Sequence, residues 1–134
     1  MQEKSRIILV LGSVLGFLGV MLGAFGAHGL RTVLSERGTE GVWRVAVDYQ
    51  LWHAVLLVGI GIGASIVNGP IRRSWYAYVF ALGILFFSGS LYWLALGGPL
   101  WLGPITPLGG VFLLLGWLGL CFDGIRGRRQ NSQK

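Results

Sequence analysis

Gly12-Ser-Val-Leu-Gly-Phe-Leu-Gly-Val-Met-Leu-Gly-Ala-Phe-Gly-Ala-His28 decides the fold. Gly12, Gly16, Gly19, Gly23 and Gly26 step by four and three residues. On a helix at 100° per residue they fall within about an 80° arc. No charge interrupts the stretch, so it reads as a glycine-striped helix in lipid rather than a helix in a soluble core. Such a stripe lets a second helix approach backbone against backbone. His28 stands about 160° from the stripe, so the two cannot both face one neighbour.

Outward from the stripe, the chain keeps the same character. Of its 134 residues, 54% are hydrophobic and 12% charged, against about 25% charged in a typical soluble domain. Glycine, present 23 times, marks packing faces in membrane helices. The +6 net charge does not point to nucleic acid, because the basic residues sit at the ends of apolar runs and form no basic face. Cys121 is the only cysteine, which excludes an internal disulfide and a thiolate metal motif.

Four apolar segments are expected to span the membrane, at about 7–28, 49–67, 75–96 and 107–122. Ile7 to Ala27 alone reaches about 32 Å as a helix. A basic start before an apolar run also suits a signal peptide, but this run exceeds the usual 7–15 residues, and a retained helix is expected. Residues 30–48 form an outer loop with amphipathic helix. Gly38 breaks it, and Thr39 is a candidate N-cap for a helix running on through Trp43 into the second span. Arg44 and Asp48, four apart, read as a solvated surface pair. Asn68-Gly69-Pro70 makes a turn before Arg72 and Arg73, and Thr106-Pro107 opens the fourth span as N-cap and first helical residue. Residues 123–134 form a polar tail.

The chain therefore reads as one all-α membrane domain, a four-helix transmembrane bundle. Lys4, Arg6, Arg72, Arg73, Arg126, Arg128, Arg129 and Lys134 fall on one side of it, eight of the eleven basic residues. The positive-inside rule makes that side cytoplasmic, with both termini in. Trp43, Trp52, Trp93 and Trp101 are expected in an outer aromatic belt and Trp75 in an inner one.

With this topology nearly every polar residue of the apolar segments lies toward the outer half. His28, Tyr49, Gln50, His53, Ser88 and Tyr92 form the candidate cluster, with Ser90 and Thr106 at the same level. The bland reading has the histidines and tyrosines bonding carbonyls and water at the headgroups, and the serines bonding back to the preceding turn. The sharper one has His28 and His53 holding a haem, or His, Tyr and Gln lining a quinone pocket or proton relay. No metal site is expected, since carboxylates and thiols to complete one are missing. Nor is a catalytic site, since no nucleophile elbow, phosphate loop or paired intramembrane carboxylate occurs.

Gly23-Ala-Phe-Gly-Ala-His-Gly-Leu30, Tyr49-Gln-Leu-Trp-His-Ala54, Phe87-Ser-Gly-Ser-Leu-Tyr92 and Ile105-Thr-Pro-Leu-Gly-Gly110, followed by Gly116-Trp117, resemble the signatures of the domain of unknown function 423 family. These are small bacterial membrane proteins similar to transmembrane protein 256. The resemblance implies a four-helix protein of the bacterial inner (plasma) membrane and no particular activity. The leading expectation is a non-enzymatic protein without a cofactor, surrounded by lipid. Its glycine faces pack with a second copy or a larger membrane complex and support membrane or complex integrity. The alternatives are haem or quinone binding through His28 and His53, and a small-solute or proton carrier acting as an oligomer.

Overall fold

The computed structural model describes residues 3–66 and 75–131, with side chains followed through Ile125. The Asn68-Gly69-Pro70 turn, Arg72, Arg73, Lys134 and the side chains of Arg126, Arg128 and Arg129 lie outside what is described. The elements are α1 (Glu3–Ala27), α2 (Arg31–Arg37), α3 (Glu40–Ile66), α4 (Trp75–Ala95), a 3-10 turn at Leu100–Leu102 and α5 (Ile105–Asn131). Among the described residues there is no strand. Four helical stretches, Glu3–Ala27, Glu40–Ile66, Trp75–Ala95 and Leu100–Ile125, are long and apolar enough to cross a membrane.

The breaks between helices have local causes. Gly38 follows α2 at φ +65° and Gly97 follows α4 at φ +88°, a backbone conformation open to glycine at no steric cost. In each case a glycine N–H reaches back three residues (Gly38 to Ser35, Gly97 to Leu94) and the next N–H reaches back five (Thr39 to Leu34, Gly98 to Trp93). Both are Schellman caps, which satisfy the otherwise orphaned carbonyls of a helix end. Residues 30–48 are thus a short helix, a sharp cap and the start of α3. Asp123 does not stop α5, which continues to Asn131.

Two threonines act differently from the sequence expectation. Thr39 does precede α3, and its carbonyl accepts from the Trp43 N–H at 3.0 Å. Its hydroxyl, however, donates to the Ala95 carbonyl at 2.8 Å, tying the start of α3 to the end of α4. Thr106 is not the N-cap of α5, because that helix already begins at Ile105. Its hydroxyl meets Ser90 instead, at 2.7 Å. Pro107 is accordingly the third residue of the helix. It is tolerated there because the first four N–H groups have no intrahelical acceptor.

The helices assemble as two glycine-seated antiparallel pairs. In the first, the α1 stripe faces α3. A Cβ on Gly12 would stand 2.8 Å from the Val58 nitrogen, one on Gly19 would stand 2.7 Å from Leu51, and one on Gly26 would enter the Trp43 indole. Gly61 returns the contact from α3 against the Leu9 backbone at 2.8 Å. In the second pair, Gly83 of α4 receives Leu113, while Gly116 and Gly119 of α5 receive Phe80 and Trp75. Gly109 lies against the Phe87 backbone. The pairs join along α3 and α4 around Ile8, Leu57, Phe80, Ile84 and Leu113. Leu34 of α2 closes the loop end over Trp43, Val47 and Ala95.

The glycine positions are not equivalent, and this is measurable. Gly12→Ala forces the α1 and α3 backbones apart and is expected to destabilise by about 1–3 kcal/mol. Gly16→Ala meets nothing nearer than Ala54 at 3.8 Å and gains about 1 kcal/mol of helix propensity. Unfolding in detergent, followed by far-ultraviolet circular dichroism, should rank Gly16→Ala at or above wild type and Gly12→Ala well below it.

Candidate functional site

The polar residues of the spans divide into separate hydrogen-bonded units. Gln50 is 4% exposed and bridges three helices. Its side-chain amide N–H, on Nε2, donates to the Leu15 carbonyl of α1 at 2.8 Å. Its Oε1 accepts from the Tyr92 hydroxyl of α4 at 2.9 Å. The long side chain crosses between helices where the α1 stripe, at Gly19, has brought the backbones close. Tyr92 also packs on Trp43, ring centroids 4.7 Å apart. The Trp43 indole N–H donates to the Leu22 carbonyl at 3.0 Å. Trp43 is therefore 5% exposed and belongs to the bundle rather than to an outer aromatic belt. Trp52, Trp75, Trp93 and Trp101 are exposed.

His53 forms the second unit. Nδ1 lies 2.7 Å from the Tyr49 carbonyl, and Nε2 lies 3.2 Å from the Trp117 indole nitrogen. An indole nitrogen only donates, so Nε2 must be the acceptor and Nδ1 must carry the proton. The ring is held as a neutral imidazole in one tautomer with both nitrogens engaged. Coordinating an iron through Nε2 would strip Trp117 of its acceptor in a water-free setting. The ring also contacts Phe80, centroids 5.6 Å apart. Phe80 is near the N-terminal end of α4, and His53 lies 13 positions into α3, about 20 Å at 1.5 Å per residue. Counting from Tyr49 sets His53 near the outer rim. The fold sets it deeper, because α3 starts at Glu40 level with the end of α4, as the Thr39–Ala95 bond requires.

His28 does not join this cluster. It follows the last residue of α1 in an exposed turn, while His53 is buried at 7% exposure. With the stripe turned to α3, a residue 160° away on α1 faces outward. Tyr49 is half-exposed and stacks its ring on Phe87 at 4.5 Å. Ser90 donates back to the Phe87 carbonyl at 3.0 Å. Ser88 is fully buried with no hydrogen-bond partner for its Oγ, as is Ser5. Among the described residues no group of three or more His, Cys, Asp or Glu gathers as a metal site would require.

Sequence reasoning missed Trp117, which supplies the donor to His53 from α5. A signal existed, since an indole N–H deep in an apolar segment needs an acceptor somewhere in the bundle. It also missed the Leu15 carbonyl, for which the sequence holds no signal at all, because every residue has one.

The Gln50–Tyr92 bond can be weighed by a double-mutant cycle of Gln50→Leu and Tyr92→Phe. Interhelical bonds of this kind average about 0.6 kcal/mol and reach about 1.7 kcal/mol. A coupling energy in that range is expected, with each single variant less stable than wild type because its partner is left buried and unpaired.

The family model described as "Protein of unknown function (DUF423)" matches residues 22–110. That range contains the Gly23–Leu30, Tyr49–Ala54, Phe87–Tyr92 and Ile105–Gly110 motifs, and with them Gln50, His53 and Tyr92. A UPF0382 membrane protein of Staphylococcus epidermidis is 41% identical over 115 residues, covering 86% of this chain and 92% of the relative. The UPF0382 membrane protein YwdK of Bacillus subtilis is 36% identical over 121 residues, covering 90% of this chain and 98% of the relative. The UPF0382 inner membrane protein YgdD of Escherichia coli is 36% identical over 127 residues, covering 94% and 95%. No solved structure matches the chain. By its motifs, its four apolar helices and its relatives over most of their length, the chain belongs to the DUF423 family of membrane proteins.

Proposed function

We propose that this chain is a non-enzymatic protein of the bacterial inner membrane, associating with a second copy or a larger membrane complex through a glycine face and supporting the integrity of that assembly. The observation that carries the reading is the difference between glycines. The α1 stripe is already occupied by α3, so it is not the associating surface. Gly59 and Gly63 of α3 lie four apart on one face, and a Cβ at either would meet nothing within 4 Å. That spacing is the one at which membrane helices pack backbone to backbone. The name of the Escherichia coli relative, an inner membrane protein, supports the location.

Both termini are assigned to the cytoplasm. The support is the excess of Lys and Arg on the terminal side, which sets orientation in bacterial membranes. A non-catalytic role fits the polar groups Gln50, His53, Tyr92, Ser90 and Thr106, each engaged with another helix or with backbone.

The Gly59→Leu/Gly63→Leu pair is expected to convert the assembly to monomer on a native gel of membrane extracts, while far-ultraviolet circular dichroism stays unchanged. An unchanged assembly state would end the reading. For orientation, a cysteine at Ser35 in a Cys121→Ser background should react with a membrane-impermeant maleimide added to intact cells. Labelling only after permeabilisation would reverse the assignment.

A further inference from the structure

A cleft of about 370 Å³ opens between α4, the 3-10 turn and α5, lined by Leu85, Phe86, Gly89, Ser90, Trp93 and Trp101 among others. No charged residue lines it. Its volume is at the low end for small-molecule sites, about 300–1,000 Å³. Leu85, Trp93 and Trp101 are exposed, so the cleft is continuous with the surface that meets the bilayer.

The cleft holds one buried polar element. Ser90 is 6% exposed and gives its single proton to the Phe87 carbonyl. Its 2.7 Å contact with Thr106 is then a hydrogen bond only with Thr106 as donor. Both protons are engaged, and the Ser90 oxygen keeps a lone pair. The lining hydroxyl therefore accepts a hydrogen bond and does not donate one. A ligand carbonyl gains nothing there, whereas a ligand hydroxyl does.

Depth narrows the class further. Ser90 lies five positions before Ala95, the last residue of α4, about 7.5 Å beneath the helix end. With 21 residues, α4 is about 31 Å long, close to the thickness of the hydrocarbon core, so Ser90 lies within the apolar layer, where a charged head is costly and a neutral one is not. Trp93 and Trp101 line the same cleft.

We propose that this cleft binds a neutral glycerolipid with a free hydroxyl, a diacylglycerol, with its O–H donated to Ser90 and one acyl chain laid along Leu85, Phe86 and Gly89. An uncharged head suits the uncharged lining. This site is independent of the Gly59 and Gly63 face, so either proposal can fail without the other.

The test is native mass spectrometry of the full chain in detergent, titrated with dioleoylglycerol and with its O-acetyl derivative, which keeps the chains and lacks the donor. One dioleoylglycerol per chain is expected, bound about three- to tenfold tighter than the acetate, the worth of one hydrogen bond. Gly89 has open space at its Cβ position, so Gly89→Leu should fill the cleft and abolish binding of both lipids while helicity is retained. Ser90→Ala should bind the two equally. Equal binding of the two lipids by wild type, or undiminished binding by Gly89→Leu, would overturn the proposal. So would a disulfide-linked dimer of Gly89→Cys in a Cys121→Ser background, because a second copy would then occupy the cleft.

Discussion

Backbone-to-backbone approach at glycine is the constraint on which this structure depends. In lipid, burying an apolar side chain against another helix gains little, because the acyl chains are as apolar as leucine. What remains is close packing and interhelical hydrogen bonding. Gly12, Gly19, Gly26 and Gly61 bring α1 and α3 near enough for both. Gly83, Gly109, Gly116 and Gly119 do the same for α4 and α5. The Gln50 amide reaches the main-chain carbonyl of Leu15 of α1, between Gly12 and Gly19.

Once the pairs are formed, α3 acts as the hub. It is tied to α1 by Trp43 and Gln50, to α4 by Thr39 and Gln50, and to α5 by His53. Each tie matches a donor with an acceptor, which matters more in hydrocarbon than in water because an unpaired group finds no solvent substitute. Of the polar residues that look like a site in the linear sequence, Gln50, His53 and Tyr92 make hydrogen bonds between helices. Ser88 differs from them, with an unpartnered buried hydroxyl on the α3-facing helix. Ser90 differs in another way, since its hydroxyl is bonded within the protein and the residue also lines the cleft between α4 and α5.

Much of the architecture is legible in the sequence because it follows from composition and period. Four long apolar runs, the 80° glycine arc, the Gly38 break and the interval at Gly97-Gly98-Pro99 each carry a local physical signal. The second glycine face, on α5, was equally available at Gly109, Gly116 and Gly119, but Leu113 lies inside its repeat and blurs it. The depth of His53 was not available. It depends on where α3 begins relative to α4, and that register is fixed by a bond between Thr39 and Ala95, residues 56 positions apart.

The sequence by itself determined that this is a helical membrane protein of four spans and that one face of α1 admits a close neighbour. Both follow from local chemistry, the transfer of apolar residues into lipid and the absence of side chains at a helical spacing. Only the tertiary structure decided which neighbour takes that face, that His28 and His53 stay apart, and that Trp117 fixes the tautomer of His53. Those outcomes depend on helix rotation and register, which are set by the packing of all the helices at once. No single segment encodes them.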